Sequence, residues 1–225
     1  MTSQYGASNH YLDGRGQAYF AWQSGLSPMA RLVARKFSPH IASRHTVIDF
    51  GCGGGYILTA LSCRRKLGVE LNPAARETAR GLGIECFADL SELPDACADV
   101  VISNHALEHV PYPVRALEML RQKLTSAGKL LLSVPLDDWR TQKHFREDDV
   151  HRHLHTWTPQ LLGNTLAEAG YPVKPGDIRI LRHAIHPRMV PLLHLLPRHA
   201  GTAVTVVTAI LLRRRELFAA VPTCR

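Results

Sequence analysis

The sequence of 225 residues has no CxxC pair, no GxxxxGK[ST] run and no long apolar stretch, and each lack removes a class of protein. Its cysteines, Cys52, Cys63, Cys86, Cys97 and Cys224, are odd in number and widely spaced, so a disulfide scaffold and a clip-type zinc site are excluded and reduced thiols are expected. Without the lysine of a P-loop, a nucleoside-triphosphate site of that kind has nothing to reach the phosphates. No window approaches the roughly 18 apolar residues of a membrane helix. The amino terminus, MTSQYGASNHYLDGRG, lacks the basic start and apolar core of a signal peptide. These absences set the expectation of a soluble, cytoplasmic protein.

The composition, 45% hydrophobic and 20% charged in 25.0 kDa, supports one full-sized domain with elaborations. A net charge of +8 favours anionic partners, but its distribution says more. Between Ile178 and Arg215 there are seven arginines and no acidic residue.

Along the chain, the stretch PMARLVARKF places Met29, Leu32, Val33 and Phe37 at helical spacing, with Pro28 suited to its first turn and Pro39 near its end. A buried strand, tight turn and helix follow in TVIDFGCGGGYILTALSCR. Further strands are expected at Lys66–Glu70, Ile84–Ala88, Asp99–Ser103 and Lys129–Pro135. Helices are expected over Pro73–Arg80 and Pro113–Leu124, and in WTPQLLGNTLAEAG with Thr158 as N-cap and Gly170 as stop. Two late strands are expected, near Asp177–His183 and Thr202–Leu212. Strands alternating with helices imply a mostly parallel sheet, and apolar runs without strict alternation imply burial on both faces.

The glycine cluster in Asp49-Phe50-Gly51-Cys52-Gly53-Gly54-Gly55 lies where the first core strand meets its helix, so a ligand can approach the backbone there. Glu70, an acid ending the second strand, suits ribose hydroxyls. The residues alone leave two readings, an NAD-type site and an adenosyl site lacking a pyrophosphate.

The succession VIDFGCGGG, VELN, FADLSELP, DVVISNHALEHV and GKLLLSVP resembles the class I S-adenosylmethionine-dependent methyltransferases, in particular the small-molecule, UbiE-like branch. The resemblance covers about Thr46 to Pro135. It implies an α/β fold: a doubly wound, seven-stranded, mostly parallel sheet with helices on both faces, Rossmann-like in class. It also implies one domain, with a leading helical lid segment over 1–42, a donor-binding core over 43–136 and an acceptor side over 137–225. For the donor, S-adenosyl-L-methionine with S-adenosyl-L-homocysteine as product, it implies that Asp49, Gly51, Cys52, Gly53 and Gly55 wrap the methionine portion and sulfonium. Glu70 would hold the ribose hydroxyls, Leu71 and Asn72 would lie beside the adenosine, and Asp89 with Leu90 would contact adenine. Asn104 and His105 would face donor and acceptor, with Glu108, His109 and Val110 completing an EHV signature.

A methyl displacement needs alignment more than a covalent catalyst, and a hydroxyl acceptor is helped by a general base, for which histidine's unperturbed pKa of about 6.5 is suitable. Four of the thirteen histidines crowd into HFREDDVHRHLHTW, as His144, His151, His153 and His155, where the resembled family closes over its acceptor. The candidates, in order, are His155, His151 and His105. Glu147, Asp148 and Asp149 beside the HxHxH run could supply metal ligands. The resembled branch needs no metal, and none is expected. Tyr11, Tyr19, Phe20, Trp22 and Arg15 suggest an aromatic lid.

The apolar and basic stretch HPRMVPLLHLLPRHAGTAVTVVTAILLRRR is read as a connecting insertion before the last buried strand, with peripheral contact to an anionic membrane surface as its other reading. NHALEHVP is unlike the NPPY and DPPY motifs of base methylation, so nucleic acid is not the expected partner. The expected acceptor is a small molecule or a lipid- or sugar-linked intermediate. A nucleic-acid methyltransferase and a non-catalytic methyltransferase-like binding or scaffold protein at an anionic membrane surface are the alternatives.

Overall fold

The computed structural model describes residues 29–136, 144–149, 151–181 and 215–224, together with positions 16, 20, 21 and 24. Seven strands form one sheet in the order β3-β2-β1-β4-β5-β7-β6. They are β1 (Thr46–Phe50), β2 (Arg65–Val69), β3 (Glu85–Phe87), β4 (Ala98–Asn104), β5 (Leu124–Pro135), β6 (Ile178–Leu181) and β7 (Glu216–Pro222). The first five are mutually parallel, whereas β7 runs antiparallel to both β5 and β6.

Burial on both faces explains the strand composition. Ile48 and Phe50 of β1, Leu130 and Leu132 of β5, and Leu217 and Ala219 of β7 enter one core layer. Their neighbours Val47, Leu131 and Phe218 enter the other. Period-two alternation therefore distributes apolar residues between two cores, which is why the strands read as continuous apolar runs. Helices α4 (Pro113–Lys123) and α5 (Pro159–Glu168) cover the first layer through Leu117, Leu120, Leu162 and Leu166. Helices α1 (Ala30–Ala34), α2 (Tyr56–Thr59) and α3 (Pro73–Gly81) cover the second through Ala34, Leu58 and Ala79.

Most element boundaries shift by one or two residues from the sequence expectation, and three differences are larger. The leading helix is shorter than PMARLVARKF: it ends at Ala34, and a 3₁₀ turn at Ser38–His40 follows, with Phe37 fully buried and tilted against Phe218 at 6.0 Å. Strand β5 starts directly after α4 at Leu124, which pairs with Ala98, and the register to β4 then jumps so that Lys129 pairs with Val100. The Ser-Ala-Gly stretch is an irregularity within the strand, not a gap before it. The final strand is Glu216–Pro222, a segment assigned to no strand from sequence. The strand expected at Thr202–Leu212, the basic stretch around it and the aromatic residues Tyr11, Tyr19 and Trp22 lie outside the described residues. Among the described residues, no helix is long and apolar enough to cross a membrane.

In the sheet order, β1 is flanked by β2 and β4, so successive connections leave it in opposite directions. The crevice for a ligand in such a sheet opens beyond the carboxyl ends of the strands where the order reverses. Here that point lies between Phe50 of β1 and Asn104 of β4.

Candidate active site

The turn leaving β1 is tied to β2 by two hydrogen bonds, Gly51 N and Cys52 N donating to the Val69 carbonyl at 2.9 and 3.2 Å. Gly51 has φ +74°, and a Cβ there would lie 2.4 Å from the Ala106 Cβ, so the turn has no room for a side chain where it meets the β4 exit. Gly55 has φ +79° and is equally closed, by Ile84. Gly53 N donates to Glu70 Oε2 at 2.8 Å, and Asn72 N donates to Glu70 Oε1 at 2.8 Å. Glu70 therefore spans the glycine turn and the start of α3. Burial raises its carboxyl pKa, while these N–H groups and Arg76 counteract the rise.

Asp49 lies beneath this turn with 1% exposure, and neither carboxylate oxygen has a hydrogen-bond partner among the described residues. Burial first, and then the charge of Glu70, push its pKa well above the usual carboxylate range. A buried carboxylate without a partner is costly, and a cation placed against it would offset that cost.

The other expected donor residues occupy defined places around the same crevice. Cys52 turns its thiol inward, 3.6 Å from Cys86 Sγ, and the hydrogen bond to Cys86 and burial raise its pKa. Leu71 is half-buried. Asn72 is the N-cap of α3, its Oδ1 accepting from Ala74 N and Ala75 N at 3.0 and 3.1 Å. Asp89 caps the 3₁₀ turn Leu90–Glu92 in a capping box with Glu92, and Leu90 is fully buried.

Asn104 and His105 stand at the β4 exit beside the glycine turn. His105 adopts φ +54°, a left-handed conformation rare without glycine, and its N–H donates to the Ser133 carbonyl at 2.9 Å. Its Nε2 lies 3.3 Å from Glu216 Oε1, at the start of β7. Lys36 completes this group: its ammonium donates to Asn104 Oδ1 at 2.6 Å, Ser133 Oγ at 3.0 Å and Glu216 Oε2 at 2.6 Å. Ser133 Oγ also donates to Glu216 Oε2 at 2.9 Å. Sequence reasoning missed Lys36, Ser133 and Glu216. One signal was available for Glu216, an isolated acid between an acid-free basic stretch and an apolar run.

His151 and His155 do not join His105. His155 Nε2 lies 2.9 Å from the Val110 carbonyl, and its ring is tilted against Trp157. His151 is exposed, with its ring 5.8 Å from that of His153. His153 in turn meets His109 edge-on at 5.0 Å, and burial lowers the His109 pKa to about 3.

Residues 22–174 match the model of a family described as a methyltransferase domain. The ribosomal protein L11 methyltransferase of Burkholderia lata is 29% identical over 118 residues, covering 50% of this chain and 39% of that protein. The chain spans well under half the length of the curated relatives it matches. Its fold is similar to that of a chain in the complex of the Haloferax volcanii Trm112 methyltransferase activator with a methyltransferase, at TM-score 0.65 and 19% identity, covering 92% of this chain and 98% of that one. A SAM-dependent methyltransferase from Archaeoglobus fulgidus superposes at TM-score 0.57 and 17% identity, covering 87% of this chain and 94% of that one. The chain belongs to the methyltransferase domain family, and it shares the Rossmann-like fold of these solved structures.

Proposed function

We propose that this protein transfers a methyl group from S-adenosylmethionine to a small molecule or to a lipid- or sugar-linked intermediate, in the manner of the small-molecule, UbiE-like branch. The observation that carries the donor half is Asp49, a fully buried carboxylate without a hydrogen-bond partner among the described residues, under a glycine turn that excludes side chains. Those residues fit an adenosyl donor bearing a sulfonium and an ammonium, because a cation is what the buried carboxylate requires. They fit a dinucleotide less well, since a pyrophosphate at the glycine turn would meet the buried carboxylate of Asp49, whereas Glu70 serves a ribose in either case. Gly51, Cys52, Gly53 and Gly55 would shape the turn around the methionine portion. Glu70 would receive the ribose hydroxyls, Leu71 and Asn72 would flank the adenosine, and Asp89 with Leu90 would border adenine.

S-adenosylmethionine supplies an activated methyl group, so no residue of this chain has to act as a nucleophile. Asn104 and His105 border the glycine turn from the β4 side. Of the three candidate bases we favour His105, which borders the glycine turn; its Nε2 lies 3.3 Å from Glu216 Oε1, an ion-pair distance without a hydrogen bond among the described residues. His155 and His151 would act on the acceptor only from the neighbouring 151–155 segment. The lid over 1–42, the donor core over 43–136 and the acceptor side over 137–225 form one functional unit in this reading. We propose a cytoplasmic location, with peripheral contact to an anionic membrane surface through the basic sequence before β7 as a further part of this reading.

Calorimetric titration with S-adenosylmethionine and S-adenosylhomocysteine, with NAD as control, tests the donor site. Saturable binding of both adenosyl ligands is expected, with none for NAD and a loss of about 10- to 100-fold in Glu70→Ala, the scale of one or two charge-assisted hydrogen bonds. Folded protein that binds neither adenosyl ligand would overturn the reading and leave a scaffold. A panel of hydroxyl, amine and carbon acceptors then identifies the substrate class.

A further inference from the structure

Outside the donor crevice, one cluster brings together side chains of ligand chemistry from two distant parts of the chain. Glu108 and His109 lie on the 3₁₀ turn Leu107–His109 that follows β4, and His153 lies on the segment before α5. One ligand-type atom from each lies within 4.8 Å of the other two, and His109 Nε2 is 3.8 Å from Glu108 Oε1. We propose that Glu108, His109 and His153 form a binding site for a divalent transition-metal ion of the zinc type.

The donor set is the first support. Two imidazoles and one carboxylate make up a three-ligand zinc site, which leaves a further position for water or an oxygen of the acceptor. In a tetrahedral site with bonds of about 2.0–2.1 Å, ligand atoms stand roughly 3.3 Å apart. The observed spacings, 3.8 Å between His109 Nε2 and Glu108 Oε1 and within 4.8 Å for the others, would contract by up to about 1.5 Å on binding.

The backbone is the second support, because it fixes His153 against the turn without using its side chain. Leu154 N and His155 N both donate to the Glu108 carbonyl, at 2.9 and 3.2 Å. His151 N and Arg152 N donate to the Asp149 carboxylate at 3.2 and 2.9 Å, closing the approach to the segment. Between them Arg152 takes φ +47°, a left-handed step that an arginine adopts only when its surroundings impose it. The backbone of this same Arg152 is hydrogen-bonded to the His109 ring. A backbone partner for one ring nitrogen is the usual device that orients a metal-binding imidazole.

Glu108 is the third support, with 0% exposure. At that depth the carboxylate meets the two imidazoles shielded from water, the setting in which a charged ligand is matched by a divalent cation. The ligands differ from those the histidine-rich run suggested on its own. Asp148 pairs with Arg146, Asp149 caps the backbone and His155 turns to Val110, so of that run His153 alone enters the three-residue cluster.

The test uses the full chain after dialysis against a chelator, without donor or acceptor, so its outcome is independent of the methyltransferase reading. Zinc is titrated in competition with a chromophoric chelator, and cobalt by visible absorption. One equivalent is expected to bind, with cobalt bands of low coordination number, and zinc should raise the melting temperature. His153→Ala should weaken binding by about 100-fold or more and abolish both the cobalt bands and the melting shift. His109→Ala should do the same, while His144→Ala, an exposed histidine outside the cluster, should leave all three readouts unchanged. His153 is only half-buried, so its variant remains informative should the His109 variant misfold. Absence of a one-equivalent site in folded protein, or wild-type binding in His153→Ala, would overturn the proposal.

Discussion

The two halves of the crevice are built on different length scales. On the donor side, Glu70 reaches Gly53 across a sequence separation of 17, and everything from β1 to the Asp89 cap comes from one continuous stretch. On the β4–β5–β7 side, Lys36 and Glu216 meet across a separation of 180, joined by Asn104 and Ser133. A local site can be shaped by turn chemistry alone, whereas the distant one requires the whole sheet to close first. The donor half should therefore respond to mutation mainly through binding, and the Lys36 network mainly through stability.

The largest effect should come from breaking the distant pair. The side chains of Lys36 and Glu216 are 4% and 11% exposed, so removing either partner leaves a buried charge uncompensated. Lys36→Met or Glu216→Ala should each cost about 3–5 kcal/mol in urea unfolding, a large share of the about 5–15 kcal/mol that holds a domain folded. The double variant Lys36→Met with Glu216→Leu should recover most of that loss. A double variant no more stable than the singles would mean that the network is held by its hydrogen bonds, not by charge balance.

The same contrast explains what the sequence disclosed. Thr158 was legible as a cap because its partner is three residues away, and Thr158 Oγ1 does accept from Leu161 N at 3.1 Å. The glycine turn and the acid after β2 are local in the same sense, whereas the Asp89–Glu92 capping box, equally local, was not foreseen. The last strand was not legible. Both Thr202–Leu212 and Leu217–Val221 are short apolar runs, and only the pairing of Leu130 with Val221 and Val134 with Leu217 selects the second as β7. Lys36 was hidden for a related reason, as one cation among several in a basic helix until Asn104, Ser133 and Glu216 surround it. Pairing across the sheet carries that information, and residue spacing does not.

A smaller but more selective effect is expected at Gly51. Alanine there must adopt a left-handed backbone, which costs about 1–2 kcal/mol, and its Cβ overlaps Ala106, so the turn must move relative to β4. Displacements of about an ångström at a reacting centre reduce rates by about 100-fold. Gly51→Ala should thus lose far more methyl transfer than stability, the inverse of Lys36→Met, as judged by single-turnover kinetics beside thermal melts. Equal losses in both measurements would erase the distinction between the two halves.

The smallest effect should have the opposite sign. Asp49 has its folded-state pKa raised by burial and by Glu70, so between the unfolded value of about 3.9 and that raised value the folded chain binds more protons than the unfolded one. Stability contributed by this group is therefore complete below about pH 3.9 and is lost as pH rises through the raised pKa. Asp49→Asn removes the penalty, so it should melt higher than wild type near neutral pH, by roughly 2–4 °C for each kcal/mol recovered, and the difference should shrink as pH falls toward 4. Donor affinity should move the other way. The ionised carboxylate is the form that attracts a cationic donor, so wild-type affinity should increase with pH through the same window and Asp49→Asn should bind weakly throughout. A variant that gains stability and keeps full donor affinity would show that the unpartnered carboxylate faces something other than the donor's positive charge.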